Sequence, residues 1–332
     1  MNAQSSILSI RHLTTRFPVG GAMVEAVDNV NLDVREGEIL GLVGESGSGK
    51  SVTLRSMVRL LREPATIEGQ VIWQGRDLMT MSQRDLRRVR GGEISMIFQE
   101  PMTALNPILP IRVQIEENLA AHTDMTAKQR YARALELLDI VGIPAAKNRL
   151  EEFPHQFSGG MRQRAMIAIA LAASPKLLLA DEPTTALDVT IQDQILKLIL
   201  DLRDSFSMSV VLVTHDLGVV ASTCDRVAVM YAGRIVESAD VASIFSEPHH
   251  AYTYGLIGSV PRSGQERKPL LSIEGTPPSL ADMPAGCAFN PRCSFATERC
   301  RKERPLLVES DGAHMAACFH QDRVIAEKEA LQ

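Results

Sequence analysis

The chain has 332 residues, of which 45% are hydrophobic and 23% charged, with a formal net charge of −5 and a pI near 5.9. That length holds one full domain with a sizeable core plus a smaller second unit, and the composition is ordinary for a soluble globular protein. Neither half is a basic block, which argues against nucleic acid or an anionic lipid surface as partner, and no apolar run approaches the ~18 residues of a membrane span.

The opening residues Met1-Asn2-Ala3-Gln4-Ser5-Ser6 lack a basic stretch followed by an apolar core, so no secretory signal is expected. The protein is then expected to stay in the cytoplasm, where disulfides do not persist. From Ile7 to Val34 the pattern reads as short strands interrupted by a loop over Phe17–Val24, with apolar and polar residues alternating along Val30–Val34. A buried strand, Ile39–Val43, leads through a glycine-rich turn into a helix running from Lys50 to about Leu61. Further strands are expected at Glu68–Trp73 and Ile94–Phe98. The pattern then turns helical from about Ile111 to Ala173. Ala132, Leu135, Leu138 and Ile140 mark one helix, stopped by Gly142 and Pro144, and another begins just after Gly159-Gly160. Two apolar strands follow, Leu177–Ala180 and Val210–Val213, each ending in polar residues and followed by a helix. After Val260, prolines at 277, 278, 284, 291 and 305 break the chain, and no long periodic helix fits.

The octapeptide Gly44-Glu45-Ser46-Gly47-Ser48-Gly49-Lys50-Ser51 fits G-x-x-x-x-G-K-[ST] at every fixed position. A strand entering a glycine-rich turn and then a helix makes an anion cradle. The glycines let backbone N–H groups approach phosphate oxygens, and the helix presents its positive end. Lys50 is expected to reach the β- and γ-phosphates and Ser51 to ligate Mg²⁺. The plainer reading is a strand–helix turn that binds nothing.

Further motifs follow in fixed order. Gln99 comes just after the strand Ile94–Phe98. Phe157-Ser158-Gly159-Gly160-Met161-Arg162-Gln163-Arg164 opens a helix, and Leu177–Ala180 runs into Asp181-Glu182. Ala186-Leu187-Asp188 comes next, and His215 ends the following strand. In open parallel sheets, ligand-contacting residues sit at such carboxyl ends. The order resembles the nucleotide-binding subunits of ATP-binding cassette (ABC) transporters over about residues 7 to 245. The resemblance implies an α/β fold: a RecA-like P-loop NTPase core with an antiparallel β subdomain and a helical insertion at about 102–173. It also implies roles. Asp181 would hold Mg²⁺ with Ser51 and Gln99, Glu182 would deprotonate the attacking water, and His215 would contact the γ-phosphate. The two carboxylates could instead cap the next helix, and a lone His or Gln taken alone carries little. Phe17 is the candidate for stacking on adenine, or a core residue. Ser158, Gly159, Gly160 and Asp188 would act in trans, clamping an ATP held by a second cassette. The family's usual Leu and Gln are here Phe157 and Met161.

Four of the five cysteines, Cys287, Cys293, Cys300 and Cys318, lie in the tail, residues 246–332. With Glu247-Pro248-His249-His250-Ala251-Tyr252-Thr253, this tail resembles the C-terminal extension of dipeptide and oligopeptide permease ATPase subunits. That resemblance implies a 4Fe-4S cluster on the four thiols, with structural zinc or free thiols as alternatives. Cys224 reads as a small core residue.

The function implied is ATP hydrolysis that energises a di- or oligopeptide importer. The implied partners are a second ABC ATPase subunit, two transmembrane permease subunits and an extracytoplasmic solute-binding protein, with no nucleic acid. The implied place is the cytoplasmic face of the inner membrane, with a segment near Ile108–Asn118 touching the permease. Alternatives are another cargo, nickel or glutathione, or a soluble ABC ATPase outside transport.

Overall fold

A computed structural model describes residues 5–185, 187–259 and 272–330. The chain divides into two compact units. One is built from residues 35–38 and 80–213, the other from residues 6–34, 39–79 and 214 onward.

In the first unit three parallel strands, Ile94–Ile97, Leu177–Asp181 and Ser209–Thr214, lie side by side in that order. Every residue of the second and third is buried, as expected of parallel strands covered on both faces. Ile94 sits opposite Leu177, and Leu177 opposite Ser209. Helices Ile111–His122, Ala127–Ile140 and Gly159–Leu171 make up the helical part. The middle one starts at a capping box: Thr126 Oγ1 accepts from the Gln129 N–H, while Gln129 Oε1 accepts from the Thr126 N–H. Its buried face is Ala134, Leu137 and Leu138, displaced from the expected stripe, since Ala132 and Ile140 are exposed. Gly142, with φ at 72°, stops it as expected. A further helix, Gln83–Val89, escaped the sequence pattern. Ser82 caps it by accepting the Asp85 N–H, and Leu86 and Val89 are its only buried residues.

In the second unit the expected short strands are two 14-residue strands, Ser6–Val19 and Ala22–Arg35, turning at Gly20-Gly21. The loop expected over residues 17–24 is therefore mostly strand. Thr66–Trp73 pairs antiparallel with the first of these, and Arg76–Asp77 closes the sheet. Ile39–Val43 runs parallel to Arg226–Tyr231, which pairs with Arg234–Asp240. The helix from Lys50 ends at Met57, short of Leu61; Arg59, at φ 52°, lies outside helical geometry.

The tail belongs to this unit. Its hairpin, Val308–Asp311 and His314–Ala316, extends the sheet from Arg234–Asp240, with Glu237 opposite Ala316. A ten-residue helix, Gln321–Ala330, follows where none was expected; Val324 is its fully buried apolar anchor among charged neighbours. Aromatics are only 4% of the chain, yet they concentrate here. The Tyr231 ring lies 4.6 Å from Tyr252 and 5.3 Å from Phe289, in a core shared with Phe295 and Ile257.

The Glu-Pro-His-His run has a structural reason. Glu237, fully buried, accepts the backbone N–H of His249 (2.5 Å) and His250 (3.0 Å) and Nε2 of His314 (2.7 Å). The His249 and His314 rings stack 3.8 Å apart. One carboxylate thus ties the Arg234–Asp240 strand to both the turn after it and the tail hairpin. Glu237→Ala would strand three buried donors, and we expect it to cost about 3–5 kcal/mol in denaturant unfolding. A loss under about 1 kcal/mol would mean the cluster does not hold the tail.

Candidate active site

The phosphate loop needs two of its glycines for steric reasons. Gly44 leaves the buried strand Ile39–Val43 at φ 152°, where a Cβ would lie 2.1 Å from the Met230 carbonyl oxygen. Gly49, at φ 104°, would place a Cβ 2.5 Å from the Ala26 carbonyl oxygen. The helix Lys50–Met57 starts directly after, with no side-chain cap and no acid in its first turn. A helix start without an acid is electrostatically compatible with an anion, since the dipole presents its positive end there. Lys50 is 5% exposed, and Nζ donates to the carbonyls of Gly44 and Glu45, both at 2.8 Å. The ammonium is thereby folded over the Gly44–Glu45 turn. Ser46 and Gly47 are exposed, Ser48 is buried, and Ser51 is half-buried. Phe17 lies within a strand and is half-buried.

In the other unit, Gln99 and Glu182 meet. Asp181 ends its strand fully buried, and Glu182 follows at φ 47°, a left-handed conformation uncommon for a side chain of that size. The turn is held by the Glu182 N–H, which donates to the Val213 carbonyl at 3.1 Å, and by the Thr185 N–H, which donates to the Glu182 carbonyl. Two donors orient the carboxylate: Gln99 Nε2 reaches Glu182 Oε2 at 3.1 Å and Thr185 Oγ1 reaches it at 2.7 Å. A carboxylate only accepts, so Gln99 presents its amide nitrogen to Glu182. Thr185 was missed by the sequence reading, although a hydroxyl three residues after the carboxylate is the available signal.

Ser158 is the N-cap of Gly159–Leu171, its Oγ accepting the Met161 N–H at 3.3 Å. Because the donor is backbone, Met161 serves as well as Gln. Phe157, 2% exposed, anchors the approach to the cap. Ser158 and Gly159 face solvent. A Cβ on Gly160 would come 3.1 Å from Ile191, so the small residue allows close packing against the helix Val189–Phe206. Asp188 is exposed at the N-cap of that helix; Ala186 lies outside the described residues. His215 is exposed just after Ser209–Thr214, and its neighbour Asp216 caps the next helix by accepting the N–H groups of Gly218 and Val219.

Residues 27–185 match the family model described as ABC transporter, and residues 236–300 the one described as oligopeptide/dipeptide transporter, C-terminal region. The probable peptide ABC transporter ATP-binding protein of Sinorhizobium fredii is 50% identical over 324 residues, 96% of this chain and 96% of that protein. This chain belongs to the ABC transporter family as an ATP-binding subunit. The oligopeptide transport ATP-binding protein of Bacillus subtilis is 48% identical to the subunit, covering 93% of it and 87% of the relative. Among solved structures, a dimeric ATP-binding cassette in a post-hydrolysis state bound to ADP and Pi is 30% identical, with a TM-score of 0.64. It covers 70% of the subunit and 98% of its own chain.

The four tail cysteines of the ABC subunit share one neighbourhood, and each is free. Burial, with smaller contributions from the neighbouring sulfurs, pushes Cys287 up to about 11 and Cys293 up to about 12. Among the described residues no three His, Cys, Asp or Glu side chains are gathered as metal ligands. The expected iron–sulfur cluster therefore has no support in this geometry. Cys287, Cys293 and Cys318 pack against the core that holds Phe289 and Phe295. Cys224 behaves as expected of a core thiol: burial raises it to about 12, and a Cβ on Gly41 would meet its sulfur at 3.0 Å. No helix among the described residues is long and apolar enough to cross a membrane.

Proposed function

We propose that this subunit hydrolyses ATP to energise import of di- or oligopeptides through a membrane permease. One observation carries the cargo: residues 236–300 match the oligopeptide/dipeptide C-terminal region, beside relatives named for peptide transport. The chemistry follows from the residues. Lys50 exchanges its carbonyl partners for the β- and γ-phosphates, and the loop from Ser46 to Ser51 receives the remaining oxygens. The Ser51 hydroxyl, the Gln99 amide oxygen and the Asp181 carboxylate are hard oxygen donors that suit Mg²⁺, which when bound neutralises phosphate charge. Glu182, oriented by Gln99 and Thr185, takes the proton of the attacking water. His215 contacts the γ-phosphate from its strand end, and Phe17 stacks on adenine.

The partners are a second ABC ATPase subunit, two transmembrane permease subunits and an extracytoplasmic binding protein, with this chain peripheral on the cytoplasmic face. Exposed apolar side chains support the two docking faces. Phe98, just before Gln99, and Met102 and Ile108 after it, the last 78% exposed, lead into the segment near Ile108–Asn118 that would meet the permease. Val189, 76% exposed beside Asp188, supports the cassette–cassette face.

The test is purification of the native assembly from membranes, followed by ATPase assay with its binding protein. Peptide-loaded binding protein is expected to stimulate hydrolysis several-fold. Stimulation by nickel or glutathione instead would overturn the cargo, and an attached partner that is not a permease would overturn transport.

A further inference from the structure

The second residue of the phosphate loop is held from outside the loop, by the C-terminal extension. Arg292, in the turn Asn290–Arg292, straddles the Glu45 carboxylate: Nη1 meets Oε2 at 2.8 Å and Nη2 meets Oε1 at 3.0 Å. The Arg292 side chain is only 6% exposed. Its remaining donors are also engaged, Nε with the Glu274 carbonyl at 3.0 Å, and Nη1 and Nη2 with Tyr231 Oη and the Ile273 carbonyl, both at 3.4 Å. The guanidinium lies 5.9 Å from the ring centres of Tyr231 and Phe289. A second tether comes from the helix Ala251–Gly258. Its fully buried Tyr252 accepts the Glu45 N–H on Oη at 2.8 Å.

Glu45 is thus fixed at its side chain, its N–H and its carbonyl, the last accepting from Lys50. A two-pronged charge-assisted pair with its guanidinium buried is among the stronger and more directional contacts available to a protein. With both outward-facing groups of Glu45 taken by the tail, the Gly44–Glu45 turn keeps the shape that holds Lys50 over the phosphate position. Without them the loop would spend part of its time in other shapes, and apparent affinity would fall by the fraction lost.

We propose that Arg292 and Tyr252 are positioning residues for the ATP site: the C-terminal extension sets nucleotide affinity by pinning Glu45. This rests on the reading of residues 44–51 as the ATP-binding loop. It gives the extension a task in the ATPase cycle, because any partner or modification that moves the Asn290–Arg292 turn would alter ATP binding through one ion pair.

The full-length chain with a fluorescent ATP analogue, together with steady-state ATPase kinetics, supplies the test. Arg292→Gln is expected to raise the Kd and the KM for ATP roughly tenfold, with kcat changed less than twofold. Arg292→Lys should recover only part, since an ammonium cannot span both carboxylate oxygens. Glu45→Gln should match Arg292→Gln, and the double variant should be no weaker than either single change. Additive losses would mean Arg292 does not act through Glu45, and an unchanged Kd in folded Arg292→Gln would overturn the proposal. If Arg292→Gln does not fold, Glu45→Gln and Tyr252→Phe carry the same test, and unchanged affinity in both overturns it. A wild-type chain that fails to bind the analogue would remove the ATP reading itself.

Discussion

Glu182→Gln is expected to bind MgATP as the natural chain does while hydrolysis falls by about two to four orders of magnitude. The substitution keeps size and shape, and Gln can still accept from Thr185 through its amide oxygen, so the turn at φ 47° should survive. What is lost is the basic oxygen that takes the proton from water. Binding and chemistry therefore separate: nucleotide affinity stays, phosphate release stops, and a pair of cassettes closed on ATP should accumulate. Phosphate release, nucleotide retention and gel filtration measure the three consequences. Hydrolysis close to the natural rate would show that another group is the base. Thr185→Val is the matched control, since it removes the donor at 2.7 Å and leaves the carboxylate in place.

How far this site could be read beforehand depended on how local its cause is. The phosphate loop was legible because Gly44 and Gly49 are forced by nearby backbone, so the spacing is itself the geometry. Asp181 and Glu182 were legible as a strand end, since Leu177–Asp181 is an unbroken buried run. The left-handed backbone of Glu182 left no trace in composition, and Thr185 is one threonine among many. Phe157 and Met161 looked like departures from a family pattern. The structure gives Phe157 a buried anchoring place and uses only the backbone of Met161. Element ends failed where a single residue's conformation decides them, as at Arg59 after the helix Lys50–Met57. The tail resisted reading for another reason. Its strands pair with Arg234–Asp240, the buried Glu237 of that strand reaches histidines on two tail segments, and Arg292 meets a residue 247 positions away. Periodicity reports only what repeats nearby.

Substituting Ser158 tests whether ATP is shared between two cassettes. In this chain the Ser158 hydroxyl caps its helix through Met161, and Ser158 and Gly159 stand exposed with nothing of their own helix covering them. A cap alone is worth about 1 kcal/mol, so Ser158→Ala should leave the fold intact. If the exposed hydroxyl and glycine N–H groups meet the γ-phosphate held by another subunit, the variant loses a donor that acts on charge developing in the transition state. Such a loss lowers turnover by roughly a hundredfold. The loss should fall on the partner's site, while binding of the fluorescent analogue to the variant's own loop 44–51 stays within about twofold. An assembled pair carrying the variant in only one cassette distinguishes the two positions. A large fall in the variant's own affinity would place Ser158 in cis and sink the shared site. If the site is shared, the preorganised amides of the helix cap would cost no rearrangement when two subunits close, and closure itself would complete the site. Hydrolysis would then be conditional on assembly, and a lone cassette should turn over ATP far more slowly than a pair.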